Sequence, residues 1–342
     1  MVLPQSGIIS GKARHHHSNL ARSGTRVGPK FVYGVIVLRA AMEKIMQQIR
    51  VIQVERYATR VEKVLAYIES LGAQAQPTLD ELAAVAAISP FHFHRVWRVM
   101  TGETVFESLR RVQMGRALVA LQNERAPVVE VAEAAGYASG QSFARSLKAF
   151  AGASASELRA DPAKMAAFVA RITHGLRAQD DDVPGIEVTI VELQPLKILA
   201  TRNTGAYESL FNGYGRLFEL VTQCMPPEDV RGIHGLWPDD PRTTAPEDFR
   251  FDCAFSVAQT AGAAPPGTHW AELPSGTCLS ARHVGDYDAL LDTIDWLYAM
   301  ALEAGIELRN APLFAHYIDD PESTPVAEWR TDVYLPIEVN QI

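Results

Sequence analysis

Cysteine is scarce in this chain. Cys224, Cys253 and Cys278 stand alone, with no CxxC pair, so neither a zinc site nor a disulfide framework is indicated. A reducing, cytoplasmic setting is expected. Long apolar runs are missing as well. The longest, FVYGVIVL from Phe31 to Leu38, falls far short of a membrane span, and no membrane partner is expected. The sequence has no phosphate-binding glycine loop, nucleophile elbow or metal-ligand cluster. No catalytic residue, metal or cofactor is therefore assigned. Acid is absent from residues 1–42, which hold six Lys/Arg.

What is present is unevenly charged. Residues 43–177 carry 17 Lys/Arg against 13 Asp/Glu, and residues 178–342 carry nine against 27. A mildly basic half can meet phosphate, whereas a strongly acidic half repels nucleic acid and favours cations. The length, 342 residues, allows two or three domains. Residues 1–41 show little periodicity, and residues 1–52 are expected to be a disordered or non-native leader, with the natural start at Met42 or Met46. A targeting segment is the alternative.

Residues 53–172 are patterned as helices. Val61, Val64, Leu65, Ile68 and Leu71 recur at three-and-four spacing. Thr78 is placed to N-cap LDELAAVAAI, and Ser89-Pro90 to open FHFHRVWRVM, which stops at Gly102. A long helix follows, then Pro127 opens VVEVAEAAG and Ser139 caps GQSFARSLKAFAG. The second half of this region repeats the first: Glu81-Leu82-Ala83 answers to Glu130-Val131-Ala132, Phe93-x-Arg95 to Phe143-x-Arg145, and Gly102 to Gly152. Two helix-turn-helix units, about 50 residues apart, are joined by one long helix. The start of each recognition helix would face base edges. In the first unit the candidates are Phe91, His92, His94, Arg95 and Arg98. In the second they are Gly140, Gln141, Ser142, Arg145, Ser146 and Lys148. Arg and Lys suit guanine or phosphate, and Gln suits adenine. Arg110 and Arg111 on the joining helix are candidates for phosphate. His92 and His94 lie on different faces of a helix, which argues against a shared metal.

Residues 173–185 are polar and end in Pro184-Gly185, as a linker does. Beyond them, residues 186–342 alternate strands with helices and contain a second repeat at an offset of 80. Gly205-Ala206-Tyr207 becomes Gly285-Asp286-Tyr287, DDPRTTAPEDFRFD from Asp239 becomes DDPESTPVAEWRTD from Asp319, and Arg250-x-Asp252 becomes Arg330-x-Asp332. Two copies of a strand–helix–strand–strand unit, related by a pseudo-twofold axis, are expected. The doubled Asp-Asp-Pro is read as turn chemistry and the doubled Arg-x-Asp as structural ion pairs. Aromatics concentrate here, including Tyr207, Tyr214, Trp237, Tyr287, Trp296, Tyr317 and Trp329. Aromatic faces with a carboxylate are suited to a lipophilic cation.

SPFHFHRVWRVMTGETVFESLRRVQMGRA followed by VVEVAEAAGYASGQSFARSLKAFAG closely resembles the DNA-binding domain of AraC/XylS-type transcription regulators, over about residues 58–160. Val112-Gln113-Met114 departs from it, since relatives more often carry a basic residue there. The segments TGAYESL, HVGDYDALL and HYIDDPESTPVAEWRTDVYLPI resemble the gyrase-inhibitor-like (GyrI-like) ligand-binding domain. Together the resemblances imply a multidomain chain: an all-α double helix-turn-helix DNA-binding domain, then an α+β domain of two tandem strand–helix–strand–strand repeats. Its implied role is that of a sequence-specific regulator, usually an activator, whose partners are double-stranded DNA, a small-molecule effector and RNA polymerase. The effector would be a bulky, cationic aromatic molecule held between the repeats. The resemblance puts the binding carboxylate at Glu328, and from the concentration of aromatics Tyr207, Trp237, Tyr287, Trp296 and Tyr317 are the candidate contacts. Two alternatives stand beside this. The domain could hydrolyse reactive molecules, with Glu328 as general base and Tyr287 as its partner, or it could bind gyrase or another protein.

Overall fold

A computed structural model describes residues 55–72, 75–173, 186–258 and 262–338. The leader expected over 1–52 lies outside the described residues, as does the expected linker 173–185 apart from Thr173.

Helix α1 covers 55–70. It is followed by α2 (Leu79–Ala86), α3 (Pro90–Thr101), α4 (Val105–Leu121), α5 (Val128–Ala134), α6 (Gly140–Ala151), α7 (Ala155–Ala160) and α8 (Pro162–Thr173). Local chemistry sets most of these ends. Thr78–Glu81, Thr104–Glu107 and Ser154–Glu157 form capping boxes at α2, α4 and α7, each satisfying two amides that the helix cannot. Ser139 caps α6 in the same way through Ser142. Gly102 and Gly152 end α3 and α6 in the left-handed conformation. Ser89 precedes Pro90 as expected, but its hydroxyl does not cap α3. It donates instead to Asn310 Oδ1 at 2.6 Å, in the C-terminal domain.

The two helix-turn-helix units bury equivalent faces. Leu82, Ala83, Phe93, Val96 and Trp97 pack in the first, and Val131, Ala132, Phe143 and Leu147 in the second. They differ in the turn. Gly136 takes φ +88° in the second unit, whereas a β-carbon-bearing residue, Ala87, sits at φ +51° in the first.

The C-terminal domain is built on an antiparallel sheet with nine strands among the described residues. They are β1 (Val188–Leu193), β2 (Leu196–Thr204), β3 (Val230–Trp237), β4 (Arg250–Val257), β5 (His269–Leu273), β6 (Gly276–Val284), β7 (Glu307–Leu308), β8 (Leu313–Tyr317) and β9 (Arg330–Glu338). The order is β1-β6-β9-β8-β3-β4-β2-β5, and β7 adds to β9. Helix α9 (Leu210–Thr222) packs on β2 and β4, and α10 (Leu290–Glu303) on β6 and β9. A single-turn 3-10 helix leads into each, at Tyr207–Ser209 and Tyr287–Ala289. In the β3–β8 pair Gly235 stands opposite Ala315. These positions are 80 apart in sequence, so the pseudo-twofold axis runs between them. The repeats also exchange edge strands, because β1 pairs with β6 and β5 with β2.

The doubled motif closes the same loop twice. Arg250 binds Asp239 through its backbone N–H and its guanidinium, and Arg330 binds Asp319 likewise. Asp252 and Asp332 accept from Arg202 and Arg282 on the neighbouring strands. Asp240 and Asp320 accept backbone amides two residues on.

A left-handed alanine costs about 1 kcal/mol relative to glycine. Ala87→Gly is therefore expected to raise the thermal midpoint by a few degrees. A melting curve checks this, and an unchanged or lower midpoint would show that the turn is unstrained.

Candidate ligand cavity and nucleic-acid interface

The helix-side face of the sheet opens into a cavity of about 760 Å³, where the start of α10 faces α9 across the pseudo-twofold axis. Its size is that of a drug-sized ligand site. The walls are aromatic. Tyr287 stacks on Trp329 with ring centroids 4.7 Å apart, and Tyr317 meets Tyr287 edge-on at 5.3 Å and Tyr214 at 5.7 Å. Phe211, Phe218 and Phe255 continue the wall, and the Tyr207 hydroxyl donates to Tyr287 O at 3.2 Å. Tyr214 donates to His234 O at 3.0 Å. A β-carbon at position 235 would come within 2.8 Å of the Tyr214 hydroxyl and 3.1 Å of that of Tyr317. Glycine at the axis thus keeps room for both phenols.

The rim is acidic, with Asp319 paired to Arg330 and the other carboxylates without a basic partner in the described lining. Asp286, Asp288, Asp319, Asp320 and Glu322 line the cavity, and among the described residues no Lys or Arg does. Burial, with Asp319 adding to it, pushes the Tyr287 phenol up to about 12, and burial also raises Tyr214 and Tyr317. These tyrosines are neutral dipoles at neutral pH rather than bases.

Of the aromatics expected to contact a ligand, Tyr207, Tyr287 and Tyr317 line the cavity. The other expected contacts require correction. Trp237 is buried in the core behind Tyr207, with the two rings edge-to-face. Trp296 points its indole N–H at Ile186 O, outside the cavity. Glu328 is exposed on the 3-10 turn Val326–Glu328 and does not line the cavity. The next residue, Trp329, takes the inward position, anchored by its indole N–H on Thr324 O at 2.8 Å. The residues missed by sequence reasoning did leave a signal. Leu210, Gly213, Leu217 and Val221 form the buried face of α9, but Phe211, Tyr214 and Phe218 make a second apolar stripe at helical spacing. A second stripe on one helix marks a second apolar environment.

The DNA candidates divide between two environments. Gln141, Arg145 and Lys148 of α6 are exposed, Ser142 and Ser146 half-buried, and Gly140 begins the helix. The α3 set faces the C-terminal domain instead. His92 is fully buried, with Nε2 2.8 Å from Arg309 O and Nδ1 2.6 Å from the Tyr298 hydroxyl. A carbonyl only accepts, so Nε2 carries the proton and Nδ1 accepts from Tyr298. Arg95, 1% exposed, donates to Asp239 O at 2.9 Å and lies over the Tyr298 ring. Arg98 forks onto Asp295 with two bonds of 2.6 Å and reaches Asp240 at 3.1 Å. His94 Nδ1 pairs with Thr243 at 3.0 Å, and Phe91 is half-buried. In this arrangement His92, Arg95 and Arg98 are committed to partners in the C-terminal domain, and Phe91 and His94 are half-buried. On α4, Arg110 is exposed over the Phe106 ring, while Arg111 is committed to Glu103 and Ile172 O. Arg111 is thereby a structural ion pair rather than a free phosphate ligand.

A helix-turn-helix domain family matches residues 82–161, and the family described as GyrI-like small molecule binding domain matches residues 186–338. The probable transcriptional regulator YgiV of Escherichia coli (strain K12) is 38% identical over 118 residues, which are 33% of this chain and 71% of that protein. This chain belongs to the regulators that join an AraC-type helix-turn-helix domain to a GyrI-like domain. It is a DNA-binding transcription regulator with a small-molecule effector domain. A DNA gyrase inhibitor of Edwardsiella piscicida is 29% identical over 162 residues, 44% of this chain and 98% of that protein. The cryo-EM structure of an EcmrR–DNA complex in EcmrR-RPo aligns with a TM-score of 0.41 at 15% identity, over 77% of this chain and 99% of that one. Among the described residues no helix is long and apolar enough to cross a membrane.

The docked imidazoles make the regulator's stability pH-dependent. Burial lowers His92 and His94 to about 4 from an ordinary 6.5. A depressed imidazole contributes stability that is fully present above its free value and lost as pH falls toward its folded value. Asp239 and Asp240 facing His94 are held below the usual carboxylate value of 3.8; burial opposes this, but Arg250 at Asp239 and Arg95 and Arg98 at Asp240 outweigh it. They stay ionised through this window. The thermal midpoint of the full chain is expected to fall between about pH 6.5 and pH 4, and less steeply in His94→Gln. Parallel midpoints for the two proteins would show that His94 is not protonated on unfolding.

Proposed function

We propose that the effector is a lipophilic, aromatic cation that binds between the repeats, and that its binding alters transcription from DNA sites read by the helix-turn-helix domain. The supporting observation is the cavity of about 760 Å³ with aromatic walls, five carboxylates at its rim and no Lys or Arg among its described lining residues. Aromatic faces attract a cation through their quadrupoles, most strongly where water is excluded. Several rim carboxylates, rather than Glu328 alone, supply the compensating charge. In this reading residues 53–172 bind DNA and residues 186–342 bind the effector. The α6 set of Gly140, Gln141, Ser142, Arg145, Ser146 and Lys148 contacts DNA, with Arg110 on the phosphates. RNA polymerase is the partner through which binding becomes activation.

We infer that the domain acts without catalysis. The hydrolase alternative required Glu328 beside Tyr287 inside the groove. Glu328, the general base of that alternative, lies outside it.

A thermal-shift screen of the full chain against hydrophobic cations, each beside a neutral isostere, tests the effector class. A ligand at about a hundred times its dissociation constant stabilises by about 2.7 kcal/mol. Cations are expected to shift the midpoint and isosteres to shift it little. Trp329→Ala is expected to weaken cation binding about tenfold, from the loss of one desolvated aromatic face. Equal shifts from cations and isosteres would replace the cationic effector with a neutral one.

The DNA reading has its own check. Arg145→Ala is expected to cost about 1–3 kcal/mol of specific DNA affinity. A footprint unchanged by this substitution would remove α6 as a reading helix.

A further inference from the structure

The first helix-turn-helix unit shares one apolar cluster with the C-terminal domain, running from Tyr57 and Trp97 to Leu297 and Tyr298, whereas the second unit has a cluster of its own. Helix α3 meets the effector domain through the side that a recognition helix presents to a major groove. Its arginines and the N–H of His92 are met there by acceptors. Asp295 and Asp240 hold Arg98, the Asp239 carbonyl holds Arg95, and the Arg309 carbonyl takes the proton of His92. Carboxylate and carbonyl oxygens offer arginine the acceptor chemistry of a phosphate or a guanine edge. The two Asp-Asp-Pro loops have diverged in this respect. Asp240 is 1% exposed beneath Arg98, while Asp320 is exposed at the cavity rim.

We propose that the effector domain masks α3 as an intramolecular competitor of DNA. The Asp240 loop and Asp295 of α10 occupy the arginines that DNA would engage, and α6 alone is presented in this arrangement. This inference rests on the assignment of α3 and α6 as DNA-reading helices. A site that requires both helices is bound only by the opened fraction of the chain, and its apparent affinity is reduced by that fraction. The mask is also connected to the cavity. Tyr287 and Asp288, in the turn that starts α10, line the cavity, and Asp295 and Tyr298 follow on the same helix about two turns later. An occupant that moves the start of α10 moves both of them.

The test uses the full chain and a pool of randomised duplexes from which bound sequences are enriched. Asp240→Asn combined with Asp295→Asn opens the mask. Glu228→Gln combined with Glu272→Gln, at exposed positions away from α3, makes the same change in net charge. The interface pair is expected to tighten binding to the enriched duplexes about tenfold, and the control pair to leave it within about twofold. Equal affinities for the interface and control pairs would overturn the mask. Should the interface pair fail to fold, amide exchange in the wild type decides: the Asp240 loop is expected to exchange faster once the duplex is bound, and unchanged exchange overturns the proposal. If neither the wild-type chain nor the interface pair enriches a duplex, or binding ignores Arg145→Ala, the DNA-reading assignment itself fails and the mask falls with it. That outcome is distinct from binding that depends on Arg145 but not on the interface pair.

Discussion

Backbone pairing of β3 with β8 is the constraint on which the C-terminal domain depends. It joins the repeats at Gly235 and Ala315 and turns two strand–helix–strand–strand units, each preceded by one further strand, into one sheet. Neither half is complete alone, because the further strand of each, β1 or β5, pairs in the far half of the sheet. The cavity follows from the same pairing. Where two related halves meet, the starts of α9 and α10 leave a space that the sheet floors with Ile233, Phe255 and Tyr317. The absence of a β-carbon at Gly235 leaves room for the two phenols that stand over the axis.

Duplication doubled the scaffold without doubling its uses. The clamps Asp239–Arg250 and Asp319–Arg330 are alike in geometry. The residues beside the clamps have parted ways, with Asp240 lying under Arg98 and Asp320 at the cavity rim. Likewise Tyr207 and Tyr287 occupy equivalent turns, yet only Tyr287 stacks on a tryptophan in the wall. Pseudo-symmetry thus places one loop against the DNA-binding domain and its twin against the ligand site, with α10 touching both.

Much of this organisation was legible in the sequence. Capping residues, glycine stops and three-and-four spacing marked the helices because those signals act over a few residues. The constant offset of 80 marked the repeats because no insertion had broken the register. The site was less legible. A lone glutamate at a motif position, Glu328, proved to be exposed, since a 3-10 turn gave the inward position to Trp329. Trp237 and Trp296 were plausible as wall residues by type alone, but burial depends on which strand or helix face each occupies.

The sequence by itself determined the element order, the two kinds of domain, the repeat and the charge asymmetry between halves. These are properties of local pattern and composition, and they do not depend on how domains dock. Tertiary structure alone decided which aromatics surround the cavity and that β1 and β5 change halves. It also decided that α3 turns its arginines toward Asp240 and Asp295. The docking of α3 comes from contacts between residues some 140 to 200 positions apart. No local preference encodes a pairing at that separation, because the same arginine pattern would serve DNA or a carboxylate equally well.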